Sequence, residues 1–222
     1  MKKYAIIVAG GTGKRMGESL PKQFLKLGGT PILIHTLQSF QTADPEIELI
    51  LTLPQEEIQF WDELNIWHQN YLEHKVVAGG ETRFHSVKNA LEHVEEGLVA
   101  VHDGVRPFVS TDIINRSYEK AQENKAVVTA VLMKDSVRQL DEMGGSKNLD
   151  RSSLRMIQTP QTFDVKLLKS AYDTVFNPSF TDDASVVEAY GHNISLIEGE
   201  YQNIKITTPE DLIIAEALLK AK

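Results

Sequence analysis

No cysteine occurs among the 222 residues. That removes thiol nucleophiles, cysteine-held zinc and disulfides, and it fits a reducing compartment, so a cytoplasmic location is expected. No apolar run approaches the ~20 residues that a membrane-spanning helix needs, and no low-complexity tract or internal repeat is present. Positive charge is in deficit: 23 Lys and Arg against 31 Asp and Glu give a net charge of −8. Nucleic acid and anionic membranes are therefore not expected partners, although a local cation cluster can still serve a small anionic substrate. Nor does a Ser–His–Asp arrangement, a metal-binding histidine cluster or a close pair of catalytic carboxylates stand out. Met1-Lys2-Lys3 before Tyr4–Val8 imitates a signal peptide. Its apolar part stops at once in glycines and Lys14-Arg15 without a cleavage-site pattern, so a first strand is expected instead.

What is present is alternation. Apolar strand-like runs alternate with amphipathic stretches, the pattern of a Rossmann-like α/β fold with a largely parallel sheet flanked by helices. Strands are expected at 4–9, 47–53, 75–78, 98–102, 126–132 and 194–198. Helices are expected at 31–40, 54–64, 83–93, 111–124, 164–174 and 182–190. A last helix begins at Thr208, with Pro209 at its first position and Asp211 completing a capping box. Residues 133–156 break the rhythm. They are polar, carry Gly144-Gly145, and read as a β-hairpin arm inserted in a single domain, 1–222. Such a hairpin is marginal alone, so a homodimer through this arm is expected.

In sheets of this type ligands sit beyond the carboxyl ends of the strands, and three loops fall there. The first, Ala9 to Lys22, packs Gly10, Gly11, Gly13 and Gly17 around Lys14 and Arg15, then adds Lys22. Glycines free backbone N–H groups for anionic oxygens, and the cations supply charge. The spacing fits neither the dinucleotide fingerprint, which would need glycine at Met16, nor the P-loop, which would need Ser or Thr at Arg15. The second loop, Gly79-Gly80-Glu81-Thr82-Arg83 and on to Ser86, opens a helix. Its competing reading is a capped strand–turn–helix corner. The third, His102-Asp103-Gly104-Val105-Arg106-Pro107, puts an Asp directly after a buried strand, where a metal or ribose ligand is often found. The competing reading is a structural turn with a surface ion pair. His102 reads as a packed, hydrogen-bonded histidine. Lys205 stands in an otherwise apolar, strand-like run and requires an anionic partner.

Seven blocks in order, AGGTGKRM, PKQF, GGETRFHSV, VHDGVRPF, LDRSSLRMIQTPQTF, TDDASVVEAYG and NIKITTPEDL, resemble those of the 2-C-methyl-D-erythritol 4-phosphate cytidylyltransferases over essentially the whole chain. The resemblance implies transfer of CMP from CTP to the methylerythritol phosphate with release of pyrophosphate, aided by Mg²⁺ or another divalent cation. It implies Arg15, Lys22, Arg151 and Lys205 as catalytic residues. Ala9, Gly10, Gly11, Gly13, Gly80, Glu81, Arg83, Ser86, Asp103 and Gly104 would bind the nucleotide, and Arg106, Ser136 and Thr159 the acceptor, a sugar-alcohol phosphate. Asp103 is the one candidate metal contact, most of the ion being held by CTP phosphates. Arg151 would reach the site from the partner's arm. Lys14, Ser136 and Gly104 depart from the family's commoner residues but keep charge, hydroxyl or small size, whereas His85 stands where an acid is frequent. Two alternatives remain open: a ribitol-5-phosphate cytidylyltransferase, and a non-catalytic nucleotide-binding sensor, which would be expected to lose a transition-state cation.

Overall fold

The computed structural model describes residues 1–10, 20–68 and 72–221. In chain order these form β1 (Lys3–Val8), β2 (Lys26–Leu27), β3 (Thr30–Pro31), α1 (Ile32–Ala43), β4 (Glu48–Leu53) and α2 (Ile58–Trp67). Then come β5 (Lys75–Ala78), α3 (Arg83–Leu91), β6 (Leu98–Asp103), α4 (Thr111–Asn124), β7 (Ala126–Leu132), β8 (Val137–Leu140) and β9 (Ser146–Leu149). The chain continues through β10 (Arg155–Asp164), α5 (Val165–Tyr172), α6 (Asp183–Ala189), β11 (Ser195–Glu198) and α7 (Pro209–Lys220).

Seven strands make one sheet in the order β11-β7-β10-β6-β1-β4-β5. β1 pairs in parallel with β4 and β6, β4 with β5, and β11 with β7, so the sheet is largely parallel as expected. β1 shows why. Tyr4, Ala5, Ile6 and Ile7 are all fully buried, with Ala5 and Ile7 in the cluster under α1, α2 and α4, and Tyr4 and Ile6 in the cluster under α3, α5 and α6. A strand covered on both faces gains from every side chain, roughly 1.5–3 kcal/mol for each buried Ile. A third cluster, with Leu27, Ile32, Val105, Phe108, Ile206 and Ala215, seats α7. That helix starts with the expected capping box: the Thr208 hydroxyl accepts from Asp211 N–H, and the Asp211 carboxylate accepts from Thr208 N–H.

Besides the short β2–β3 pair, which the sequence reading did not include, three elements differ from it. The helix expected at 54–64 begins as a 3-10 turn, Gln55–Glu57, and its α-helical part runs later, Ile58–Trp67. Residues 203–207 form no ladder; they are an irregular segment, and Lys205 is half exposed while its neighbour Ile206 is buried. The largest difference is β10, antiparallel to both β6 and β7 in the middle of the sheet. A proline argues against a central strand because it has no N–H to give. Here the ladder to β7 shifts register between Ile157 and Gln161, and Pro160 falls in that gap.

β8 and β9 pair as the expected hairpin, closed by Asp141, whose Oδ1 accepts from the N–H groups of Met143 and Gly145. From Leu132 to Ile157 no side chain is buried. Leu132, Leu140, Met143, Met156 and Ile157 are exposed apolar groups on this stretch.

Candidate functional site

The site lies where β1, β5 and β6 end. Val8 and Asp103 are register partners, so the chain leaves both strands side by side. Turns beyond them are pinned by backbone bonds: Ala9 N–H donates to Thr52 O, Gly79 N–H to Leu53 O, and Gly104 N–H to Val8 O. Two cavities open there. One, of about 230 Å³, is lined by Ala9, Gly10, Lys22, Gly80, Glu81, Arg83, Ser86, Asp103 and Lys205, with Val8, Gln23, Thr82 and Val105. The other, of about 270 Å³, is lined by Arg83, Asp103, Arg106, Thr159 and Lys205, together with Ile157, Gln158, Gln161, Thr181 and Asp182. Arg83, Asp103 and Lys205 belong to both, so they form the wall between them.

Asp103 is the centre of that wall. Its Oδ2 accepts from Arg106 Nε at 3.0 Å and faces Lys205 Nζ at 3.1 Å, while Oδ1 lies 3.8 Å from Arg83 Nε. Burial alone would raise its pKa; Lys205, Arg83 and Arg106 together outweigh that and hold the carboxyl well below the usual range. Arg83 is also bound at 2.6 Å to Asp183, which is fully buried and accepts from the Tyr172 hydroxyl. Burial opposes the Arg83 charge, but Asp183 and then Asp103 more than compensate, so the guanidinium stays ionised. Arg83, Arg106 and Lys205 are thus paired with Asp103 and Asp183, while Lys22, Glu81 and Asp182 also line the two cavities.

A buried relay fixes the turn after Asp103. Arg106 O can only accept, so His102 Nε2 carries the proton, at 3.1 Å, and Nδ1 accepts from the Thr159 hydroxyl at 3.0 Å. Thr159 Oγ1 in turn accepts from Asp103 N–H at 3.1 Å. Burial lowers the His102 pKa to about 4, which keeps the ring neutral as this relay requires. The expected packed histidine is therefore present. The relay also commits the Thr159 hydroxyl proton to His102, so toward the second cavity Thr159 offers only a lone pair.

The turn at Gly80 is built differently. Ser86 Oγ donates to Thr82 O and accepts from Gly80 N–H at 3.1 Å, while Thr82 caps α3. A Cβ at Gly80 would lie 2.3 Å from His85 Cβ, so only glycine fits this approach. His85 itself pairs through Nδ1 with the Thr82 hydroxyl. Gly104 lines neither cavity; a Cβ there would come 3.0 Å from Ala9 Cβ and 3.1 Å from Leu33 Cδ1, so its small size serves close packing.

Gly11, Gly13 and Arg15 lie outside the described residues. Ser136 and Arg151 sit on the exposed arm and line neither cavity of their own chain; the Arg151 guanidinium donates to Lys134 O. Sequence reasoning did not single out Gln23, Gln161, Asp183 or Asn203 as site residues. The paired acids of Thr181-Asp182-Asp183 were a usable signal, since adjacent carboxylates beside a cationic site imply that one of them is spent on a cation. For a metal held by protein alone the donor set does not fit. Asp103 is already flanked by three cations, and among the described residues no group of three His, Cys, Asp or Glu could hold an ion. Among these residues no helix is long and apolar enough to cross a membrane.

A family model described as IspD, 2-C-methyl-D-erythritol 4-phosphate cytidylyltransferase, matches residues 4–221. The 2-C-methyl-D-erythritol 4-phosphate cytidylyltransferase of Bacteroides thetaiotaomicron is 54% identical over 220 residues, covering 99% of this chain and 100% of that protein. Among solved structures, the 4-diphosphocytidyl-2C-methyl-D-erythritol synthase of Anaerococcus prevotii aligns with a TM-score of 0.84 at 33% identity, over 99% of this chain and 96% of that one. The 2-C-methyl-D-erythritol 4-phosphate cytidylyltransferase of Thermus thermophilus gives 0.81 at 33%, over 99% and 100%. With a shared fold and matches along nearly its whole length, the chain belongs to the IspD family of cytidylyltransferases.

Proposed function

We infer that the chain transfers CMP from CTP to 2-C-methyl-D-erythritol 4-phosphate, giving 4-diphosphocytidyl-2-C-methyl-D-erythritol and pyrophosphate. The observation that carries this reading beyond the family match is the common wall: two cavities meet at Arg83, Asp103 and Lys205. A nucleotide in the first cavity and a phosphate ester in the second would bring an α-phosphorus and an anionic nucleophile together across that wall. No protein base is required, because the acceptor phosphate is already ionised. The task left to the protein is positioning and neutralisation.

The proposed roles rest on the family membership and, for the described residues, on the cavity that each one lines. Ala9, Gly10, Gly80, Glu81 and Ser86 hold ribose and cytosine. Arg15 and Lys22, with Gly11 and Gly13 of the same loop, meet the triphosphate and stabilise charge moving onto pyrophosphate. Lys205 and Arg106 receive the acceptor phosphate, for which Lys205 exchanges part of its pairing with Asp103. Thr159 accepts a hydrogen bond from the acceptor. A divalent cation such as Mg²⁺, held by the CTP phosphates, would supply further neutralisation there. Asp103 acts as the counter-ion that spaces the cations.

The second subunit belongs to the same proposal. An arm with no buried side chain and with Leu140, Met143 and Met156 exposed supports a homodimer, in which Ser136 and Arg151 serve the partner's site. A cytoplasmic setting suits a chain with 0 cysteines. The test is to incubate pure protein with CTP, Mg²⁺ and either 2-C-methyl-D-erythritol 4-phosphate or ribitol 5-phosphate, following pyrophosphate release with and without EDTA. Turnover with the first acceptor, lost in EDTA, is expected. Faster turnover with ribitol 5-phosphate would reassign the acceptor, and nucleotide binding without turnover would make the chain a sensor.

A further inference from the structure

Asn203 is fully buried, and three of its four hydrogen bonds go to residues of the acceptor cavity, the fourth running from its backbone N–H to Glu200 O. Its backbone carbonyl accepts from Arg106 Nη1 at 2.8 Å, and its side-chain Nδ2 donates to Thr159 O at 2.9 Å and more weakly to Gln158 Oε1 at 3.4 Å. The amide orientation is forced from both sides. Thr159 O can only accept, and Gln158 donates its own Nε2 to Glu200 O, which leaves Oε1 facing Asn203. Two residues on, Lys205 reaches Asp103, and Ile206 N–H donates to Val105 O. The segment therefore lies against the turn that carries Asp103 and Arg106, and Asn203 is the side chain that ties it to β10. Its Oδ1 is buried and has no hydrogen-bond partner, so the side chain is held here by what its Nδ2 donates to.

We propose that Asn203 is a positioning residue for the acceptor phosphate: it sets the separation of Arg106 and Lys205 and orients Thr159, without touching substrate. This rests on the reading that Arg106 and Lys205 receive that phosphate. Substitution at Asn203 then misplaces two cations in the acceptor cavity and leaves the nucleotide turn at Gly80 and Ser86 as it was.

The test is steady-state kinetics of N203D, which keeps shape but turns the donor into an acceptor facing two oxygens. The KM for 2-C-methyl-D-erythritol 4-phosphate is expected to rise about 10-fold or more while the CTP KM stays within about two-fold. N203S, which shortens the side chain and keeps the carbonyl beneath Arg106, is expected to show the same selective rise at about three-fold, and it serves if N203D does not fold. A fall in kcat at unchanged KM values, or equal rises in both KM values, would overturn the proposal and make Asn203 merely structural. A parent protein that does not use the acceptor overturns the reading of the reaction instead; an active parent with an unchanged acceptor KM in both variants overturns only the role of Asn203.

Discussion

The Lys205 ammonium lies 3.1 Å from Oδ2 of Asp103, the same oxygen that accepts from Arg106 Nε at 3.0 Å. One buried carboxylate oxygen thus spaces two cations that would otherwise repel. The two partners differ in exposure: the Lys205 side chain is 42% exposed and that of Asp103 only 9%. This asymmetry separates stability from function. Asp103→Asn keeps the shape but leaves three cations without their common counter-ion, and is expected to destabilise the fold by on the order of 3 kcal/mol. Lys205→Ala is expected to cost under about 1 kcal/mol yet to lower kcat/KM for the acceptor strongly. Thermal unfolding and acceptor titrations on both variants check this; an equal stability loss in the two would contradict the assignment.

Gly80 tests the nucleotide side. A methyl group there would meet His85 Cβ at 2.3 Å and the His85 carbonyl carbon at 3.1 Å, so backbone as well as side chain must move. Gly80→Ala is expected to raise the CTP KM by about 10-fold or more through displacement of the turn. Adding His85→Ala should not restore it, because the Cβ and backbone remain. CTP affinity equal to the parent's, measured by calorimetry, would show that the turn yields without consequence.

His102 predicts a pH dependence of stability. Its imidazole is buried with a pKa of about 4, against an ordinary value of 6.5. Between these values the unfolded chain binds a proton that the folded chain refuses, so stability rises with pH there. The contribution is complete above about 6.5 and is lost as pH falls toward 4, amounting to about 3 kcal/mol. His102→Gln should be less stable at pH 7 but show a shallower loss of unfolding temperature from pH 6.5 to 4. Parallel curves for variant and parent would assign the acid sensitivity to other groups.

The proposed transition-state cations and the arm can be examined together. Arg15→Ala and Lys22→Ala are each expected to lower kcat about 100-fold with a smaller effect on CTP binding. Arg151→Ala should also be weakly active, for want of a cation in the acceptor site. Mixing Lys22→Ala with Arg151→Ala chains is expected to restore part of the activity, since one site of a mixed dimer then holds both residues. Mixed dimers, verified by mass, that recover nothing would place Arg151 in its own chain's site.

Much of this molecule was legible beforehand because it is locally encoded. The runs at 75–78, 111–124 and 126–132 match β5, α4 and β7 residue for residue, since period and burial agree along each of them. The Thr208 capping box needed only the four residues from Thr208 to Asp211. The glycine turns could be read because Gly79-Gly80 and Asp103-Gly104 stand directly after apolar runs. β10 was hidden, because Pro160 and a polar Gln-Thr stretch contradict a central strand unless tertiary partners absorb the break, as the Thr129 hydroxyl does by donating to Pro160 O.

Lys205 was expected to need an anion, but sequence could not say which, because Asp103 reaches it only after β6 and the 203–207 segment are brought together. Likewise the sequence could not show that Asp103 stands among three cationic neighbours. The glycine-rich opening, the strand-end loops and the family membership were determined by the sequence itself, since each rests on residue types at short range. Which charges neutralise one another was decided only by the tertiary structure, because ion pairing depends on distances between segments that local pattern does not specify.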